Sequence, residues 1–116
     1  MPKMTIIGLT EKVTLFSNDL KKKKRVNARV DTGAESNSLD TRLAAKLLLG
    51  PVIKTTIVKS ANGNSTRPVI KADIMIADKM LGGVFTLADR SKMRFKMLIG
   101  REILKKGGFL IDPKRK

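Results

Sequence analysis

The stretch that most constrains this chain is Val30-Asp31-Thr32-Gly33-Ala34, a single carboxylate on a turn of small residues directly after an apolar-ended strand. Asp-Thr-Gly arises by chance in about one chain in fifty of this length, judging from average residue usage, so its surroundings decide what it means. Val26 to Val30 reads as a strand leading into it, and Gly33 lets the backbone turn sharply. Taken alone, the motif is equally an ordinary turn carboxylate at a strand end.

The rest of the composition removes most other chemistry. The 116 residues hold no Cys and no His, which excludes disulfides, thiol and Ser-His nucleophiles and the common zinc sites. Lys plus Arg number 25 against 10 for Asp plus Glu, a formal charge of +15. Such a chain attracts something acidic: nucleic acid, an anionic membrane or an acidic peptide. With four Phe and no Tyr or Trp there is little on which bases could stack, so nucleic acid is the less favoured partner. No stretch reaches the roughly 18 apolar residues of a membrane span, and the N-terminus has no signal-peptide core. The expectation is a cytoplasmic protein with no membrane association.

Along the chain, Thr5 to Phe16 is loosely alternating and β-branched, which predicts one or two short strands with Gly8 as a bulge or bend. Ser17-Asn18-Asp19 marks a turn. The five cations Lys21 to Arg25 fit a solvated hairpin arm or charge-guarded edge strand, with a dedicated anion site as the other reading. Ser36 to Ser38 are polar and extended. Leu39 to Leu49 has helix spacing, with Asp40 at its N-cap or first turn and Leu43, Ala44, Leu47 and Leu48 on one face. Gly50-Pro51 stops it. Ile53 to Lys59 alternates as a half-buried strand, Ser60 to Asn64 carries the Asn-Gly hairpin signal, and Pro68 to Ile76 returns. A turn over Asp78 to Gly83 precedes strands at Val84–Leu87 and Met93–Ile99. A short helix, Arg101–Lys106, is closed by Gly107-Gly108 and followed by a last strand, Phe109–Ile111. The sum is a mostly β chain, one compact domain over residues 1–116 with a basic tail at 113–116.

Three features together resemble the retropepsin-type aspartic proteases. Ala28 to Glu35 is similar to their catalytic strand and loop, the Asn62-Gly63 hairpin falls where they carry a flap, and Met97-Leu98-Ile99-Gly100-Arg101 before a short helix matches their C-terminal part. The chain resembles more closely a prokaryotic branch named for ATP-dependent zinc proteases, the RimB-like peptidases that partner RimK-type glutamate ligases. The runs that carry this are Val30–Ala34, Arg67–Ile70, Asp89–Arg101 and Phe109–Pro113. The resemblance implies an acid-protease fold, a closed or partly closed β-barrel with one or two short helices. Zinc and ATP find no residues here: there is neither His nor Cys, and no Gly-x4-Gly-Lys-Ser/Thr loop. No metal and no cofactor is expected.

Aspartic proteolysis uses two carboxylates that share one proton, because two so close cannot both be charged. With one Asp-Thr-Gly per chain, the resemblance implies a symmetric homodimer in which each subunit gives Asp31, with Thr32 and Gly33 shaping the loop. The Thr32 hydroxyl would tie the two loops together, and Glu35 would pair with Arg101. Ala34, Ser36, Ser38, Asn62, Gly63, Arg67, Arg94, Lys96 and Leu98 would line the substrate groove. A period of two from Arg94 to Ile99 puts Arg94, Lys96 and Leu98 on one face. In retroviral relatives that face lines an apolar main pocket; cations there would favour acidic side chains. Arg29 and Arg67 either add to this field or face solvent.

The expected activity is therefore an aspartic peptidase trimming glutamate-rich or poly-glutamate tails, with a glutamate ligase as a possible partner. In related folds the chain ends build the dimer interface, where Lys114-Arg115-Lys116 of two subunits would repel. Two other readings stand beside it. One is an inactive retropepsin-like module that binds acidic peptide or RNA; the other is a nucleic-acid-binding barrel in which Asp-Thr-Gly is incidental.

Overall fold

The computed structural model describes residues 4–61 and 63–115, the Ser60 side chain apart. Asn62, expected at the hairpin tip, lies outside the described residues. Strands β1 (Thr5–Ile7), β2 (Thr10–Phe16), β3 (Lys23–Val30) and β4 (Asn37–Asp40) come first, then helix α1 (Thr41–Lys46). The hairpin β5 (Lys54–Ser60) and β6 (Gly63–Ile76) follows, then β7 (Lys79–Ala88), β8 (Met97–Ile99), α2 (Arg101–Gly107) and β9 (Phe109–Ile111).

Strand order β2-β3-β8-β4-β7-β6 is closed into a six-stranded barrel by pairing of β2 with β6, and β5 hangs from β6 as an arm. β8 threads between β3, to which it is parallel, and β4, to which it is antiparallel. β1 and β9 form a separate parallel pair. Alternation explains why these segments are strands: on β3, Val26, Ala28 and Val30 point into the core while Arg25, Asn27 and Arg29 are exposed. The core is aliphatic, with Ile7, Leu15, Leu39, Ile74, Met97, Ile99 and Ile103 fully buried around Phe85.

Gly8 and Leu9 join β1 to β2, with the bend at Leu9, and a Cβ on Gly8 would press on the Arg115 carbonyl. Several expected boundaries move, each for a non-local reason. Leu39 and Asp40 belong to β4 because both neighbouring strands capture them, Leu39 opposite Leu87 and Met97. The helix thus shrinks to Thr41–Lys46, and Leu48, expected on its buried face, is 78% exposed at a positive φ. Asp40 does precede the helix, but its side chain caps nothing there and instead accepts the Arg90 N–H. The turn expected over Asp78–Gly83 is a two-residue turn at Ala77-Asp78, both at positive φ, so Gly82 and Gly83 fall within β7. The strand expected from Met93 starts only at Met97.

Candidate active site

Asp31 sits at the mouth of β3, half-buried, with its backbone N–H donated to the Ile99 carbonyl at 2.9 Å. Its Oδ1 accepts the Gly33 N–H at 2.9 Å, which fixes the carboxylate over its own turn. Gly33 takes an ordinary φ; what it offers is room, since a Cβ would sit 3.2 Å from that same Oδ1. Thr32 is exposed, and among the described residues its hydroxyl has no hydrogen-bond partner.

The loop is locked from below by the start of α2. Arg101 N–H donates to the Ala34 carbonyl, Glu102 N–H to the Glu35 carbonyl, and Arg101 Nη1 to the Thr32 carbonyl at 2.9 Å. The expected Glu35–Arg101 ion pair is not formed, because the guanidinium turns to the Thr32 carbonyl instead. Gly100 is indispensable to this closure: a Cβ there would overlap the Ser36 carbonyl. Fully buried Asn37 completes the frame, accepting the Gly100 N–H while its amide donates to Val84 O and to Glu102 Oε1. Burial works to raise the Glu102 pKa. The Lys106 ammonium, the Val84 N–H and the Asn37 amide outweigh it and hold the carboxyl below its ordinary value.

Register brings several expected groove residues together. Arg29, Leu98, Ser38 and Thr86 form one cross-strand rung over β3, β8, β4 and β7. Ala28, Met97 and Leu39 form the adjacent rung, which faces the core. The Ser38 hydroxyl is buried with no hydrogen-bond partner among the described residues. A cleft of about 760 Å³ separates the β5 arm from the loop after Asp31 and from α2, lined by Ser36, Glu35, Thr56, Val58 and Arg101. A second, of about 420 Å³, lies beside the β6 side of the hairpin, lined by Arg67, Leu87, Asp89, Arg90 and Met93. Gly63 opens β6, opposite Ser60.

Two expectations about cations need correction. Arg94 and Lys96 are not on a strand face with Leu98, since residues 91–96 are folded as a loop. Lys96 Nζ donates to the carbonyls of Arg90, Ser91 and Met93 at 2.6–2.9 Å, which uses all three of its donors. Arg94 lies over the Phe95 ring. The residue that sequence reasoning passed over is Arg90, half-buried, held by its Nε to Phe95 O and its N–H to Asp40. Burial lowers its pKa, Arg67 and Arg29 lower it further, and Asp40 opposes them. Arg29, Arg67 and Arg90 therefore share one field, on the side of the barrel where Leu98 emerges. Only the pairing Asp89-Arg90 ahead of a loop hinted at it.

Among the described residues, no group of three or more carboxylates is placed to hold a metal ion, and no helix is long and apolar enough to cross a membrane.

A six-stranded barrel with a hairpin arm and an Asp-Thr-Gly loop is the retropepsin-like arrangement. The chain superposes on the EIAV protease in complex with the inhibitor HBY-793 with a TM-score of 0.68 and 23% identity, over 89% of this chain and 90% of that one. It also matches a protein of unknown function from Legionella pneumophila, with a TM-score of 0.65 and 21% identity over 96% and 94% of the two chains. These two likenesses define the fold. The family model described as "Retropepsin-like aspartic endopeptidase RimB" matches residues 41–116, well over half of the chain, and the chain belongs to this RimB-like family. The matched span begins beyond Asp31 and takes in the hairpin, the Asp89–Arg101 run and the C-terminal strand. A 64-residue stretch, 54% of the chain, is 41% identical to a "Probable alpha-L-glutamate ligase" of Desulfotalea psychrophila. It covers 14% of that relative, so the match spans about a seventh of the ligase's length.

Proposed function

We propose that the chain is an aspartic endopeptidase that works as a homodimer, each subunit giving one Asp31, on glutamate-rich or poly-glutamate peptide tails. The observation that carries this reading is the Asp31 turn itself: a carboxylate fixed through Oδ1 to Gly33 N–H, on a loop buttressed by Arg101, in a chain of the RimB-like family. Two such loops facing each other across a two-fold axis bring two carboxylates to share one proton. The ionised one takes a proton from water as the water oxygen bonds to the scissile carbonyl carbon. The protonated one gives its proton to the carbonyl oxygen. Collapse of the tetrahedral species breaks the C–N bond: the proton held by the first carboxylate goes to the leaving nitrogen, and one gem-diol hydroxyl returns its proton to the second carboxylate as C=O re-forms, which restores the shared proton. The free Thr32 hydroxyl is available to bridge the two loops.

The acidic preference rests on Arg29, Arg67 and Arg90 beside Leu98, not on Lys96, whose donors are spent on the loop. A relative named as a glutamate ligase supports glutamate chemistry and a ligase partner. A cytoplasmic setting belongs to the same proposal. The competing reading, a non-catalytic module for acidic peptide or RNA, draws on the exposed cations Lys21 to Arg25, which lie outside the groove. Mass spectrometry of an α-linked poly-glutamate peptide incubated with wild-type and Asp31→Asn protein separates the two. Shortening by wild type alone is expected; no shortening by either, with binding intact, moves the function to the module.

A further inference from the structure

A cleft of about 410 Å³ on the flank of the barrel plays no part in the site above. It lies where β3 begins and where the 91–96 loop enters β8, and α1 forms its third wall. Its cations are Lys24 and Arg25 from β3, Arg42 and Lys46 from α1, and Arg94 and Lys96 from the loop. Asp40 is the one carboxylate in its lining, and one of its oxygens is taken by Arg90 N–H. Asp89 feels Arg42 from outside the lining, its carboxylate already bonded to Ser91.

This concentration of charge is unbalanced within the chain. Among the described residues the one ion pair is Lys106–Glu102, so none of the six cations has an ionic partner. Arg42 and Lys46 stand four apart on one helix face, an arrangement that like charges destabilise. Lys96 is fixed by three carbonyls and supplies field rather than donors. An anion with several carboxylates would relieve the repulsion and find donors already in place.

We propose that this flank cleft is a second binding site for the acidic peptide, holding a carboxylate-bearing segment remote from the bond that is cut. It rests on the peptidase reading, but the binding itself does not need catalysis. β3 links the two sites: from Arg25 to Asp31 is six residues, or about 20 Å of extended chain. Arg25, Asn27 and Arg29 alternate outward along that path. Same-side carboxylates of an extended peptide recur at the same two-residue spacing of about 6.6 Å. A peptide must therefore extend roughly six residues past the scissile bond to reach the cleft. Base stacking has nothing to rest on there, since the lining holds no aromatic ring, which favours acidic peptide over RNA.

The test measures binding of α-linked poly-glutamate peptides of four and sixteen residues to Asp31→Asn protein by fluorescence anisotropy. Adding Arg42→Gln and Lys46→Gln should weaken the long peptide about tenfold, as loss of two exposed charge contacts predicts. The short peptide, which cannot span both sites, should lose much less than the long one. A control carrying Lys71→Gln and Lys114→Gln removes the same charge from elsewhere on the exposed surface and should weaken the long peptide far less. Equal weakening by the two pairs, or equal effects on both peptide lengths, would overturn the cleft in favour of diffuse attraction. Tighter binding of single-stranded RNA, lost through the same pair, would overturn acidic peptide as its ligand. Cleavage of the long peptide by wild type is scored separately: its absence refutes the peptidase reading, while the pattern of binding still decides the cleft.

Discussion

At Gly100 one missing methyl group lets the Asp31 loop close. The Ser36 and Ala34 carbonyls pack where a Cβ would stand, and those are backbone atoms that cannot swing aside. Gly100→Ala should cost about 3 kcal/mol of stability, at the upper end of what overpacking usually costs, in urea unfolding. It should also lower cleavage beyond the loss of folded protein. Gly63, at positive φ and with room where a Cβ would stand, serves its conformation instead. Asp31, Gly33, Gly100 and Arg101 were legible in the sequence because each belongs to a short run whose turn chemistry is local. The partner of Arg101 was not legible. Sequence spacing offers the Glu35 carboxylate as a partner, whereas the folded loop presents the Thr32 carbonyl to the guanidinium.

Among the elements, the hairpin arm and the strand before Asp31 were readable from alternation and from Asn-Gly. The errors fall where a side chain or a distant strand overrides local pattern. Leu39 and Asp40 fit a helix by spacing but are held as β4 between β7 and β8. Met93 to Ile99 reads as one strand, yet Arg90 and Lys96 hold the 91–96 part as a loop by bonding its carbonyls. Arg90 escaped notice because its backbone partner Asp40 is 50 residues away. The junction of β4, β7 and α2 gives a pH prediction. Glu102 accepts from Asn37 and Val84, and its folded pKa lies below the ordinary 4.5. Its stabilisation is present above that ordinary value and is lost as pH falls through the lower, folded one. The thermal stability of wild type should therefore fall in the acid window below the ordinary 4.5. Glu102→Gln should flatten that window and lower Tm at neutral pH by about 5 °C, through loss of charge-assisted hydrogen bonds.

For the whole molecule, the charge of +15 would steer an acidic substrate of the kind proposed. Steering by such a field is screened as the Debye length falls from about 10 Å at 0.1 M salt to about 3 Å at 1 M. The kcat/KM for an acidic peptide should drop about tenfold over that range, with kcat changing much less. An uncharged peptide should show no such dependence. The central claim is that catalysis needs one Asp31 from each of two subunits, and mixing tests it most directly. Wild-type and Asp31→Asn chains are equilibrated at fixed total concentration, and the rate of poly-glutamate cleavage is followed against the wild-type fraction. Shared dyads predict activity proportional to the square of that fraction, so an equal mixture keeps about one quarter of the full rate. A straight line, with about one half remaining, would mean that each chain works alone, and would contradict the account.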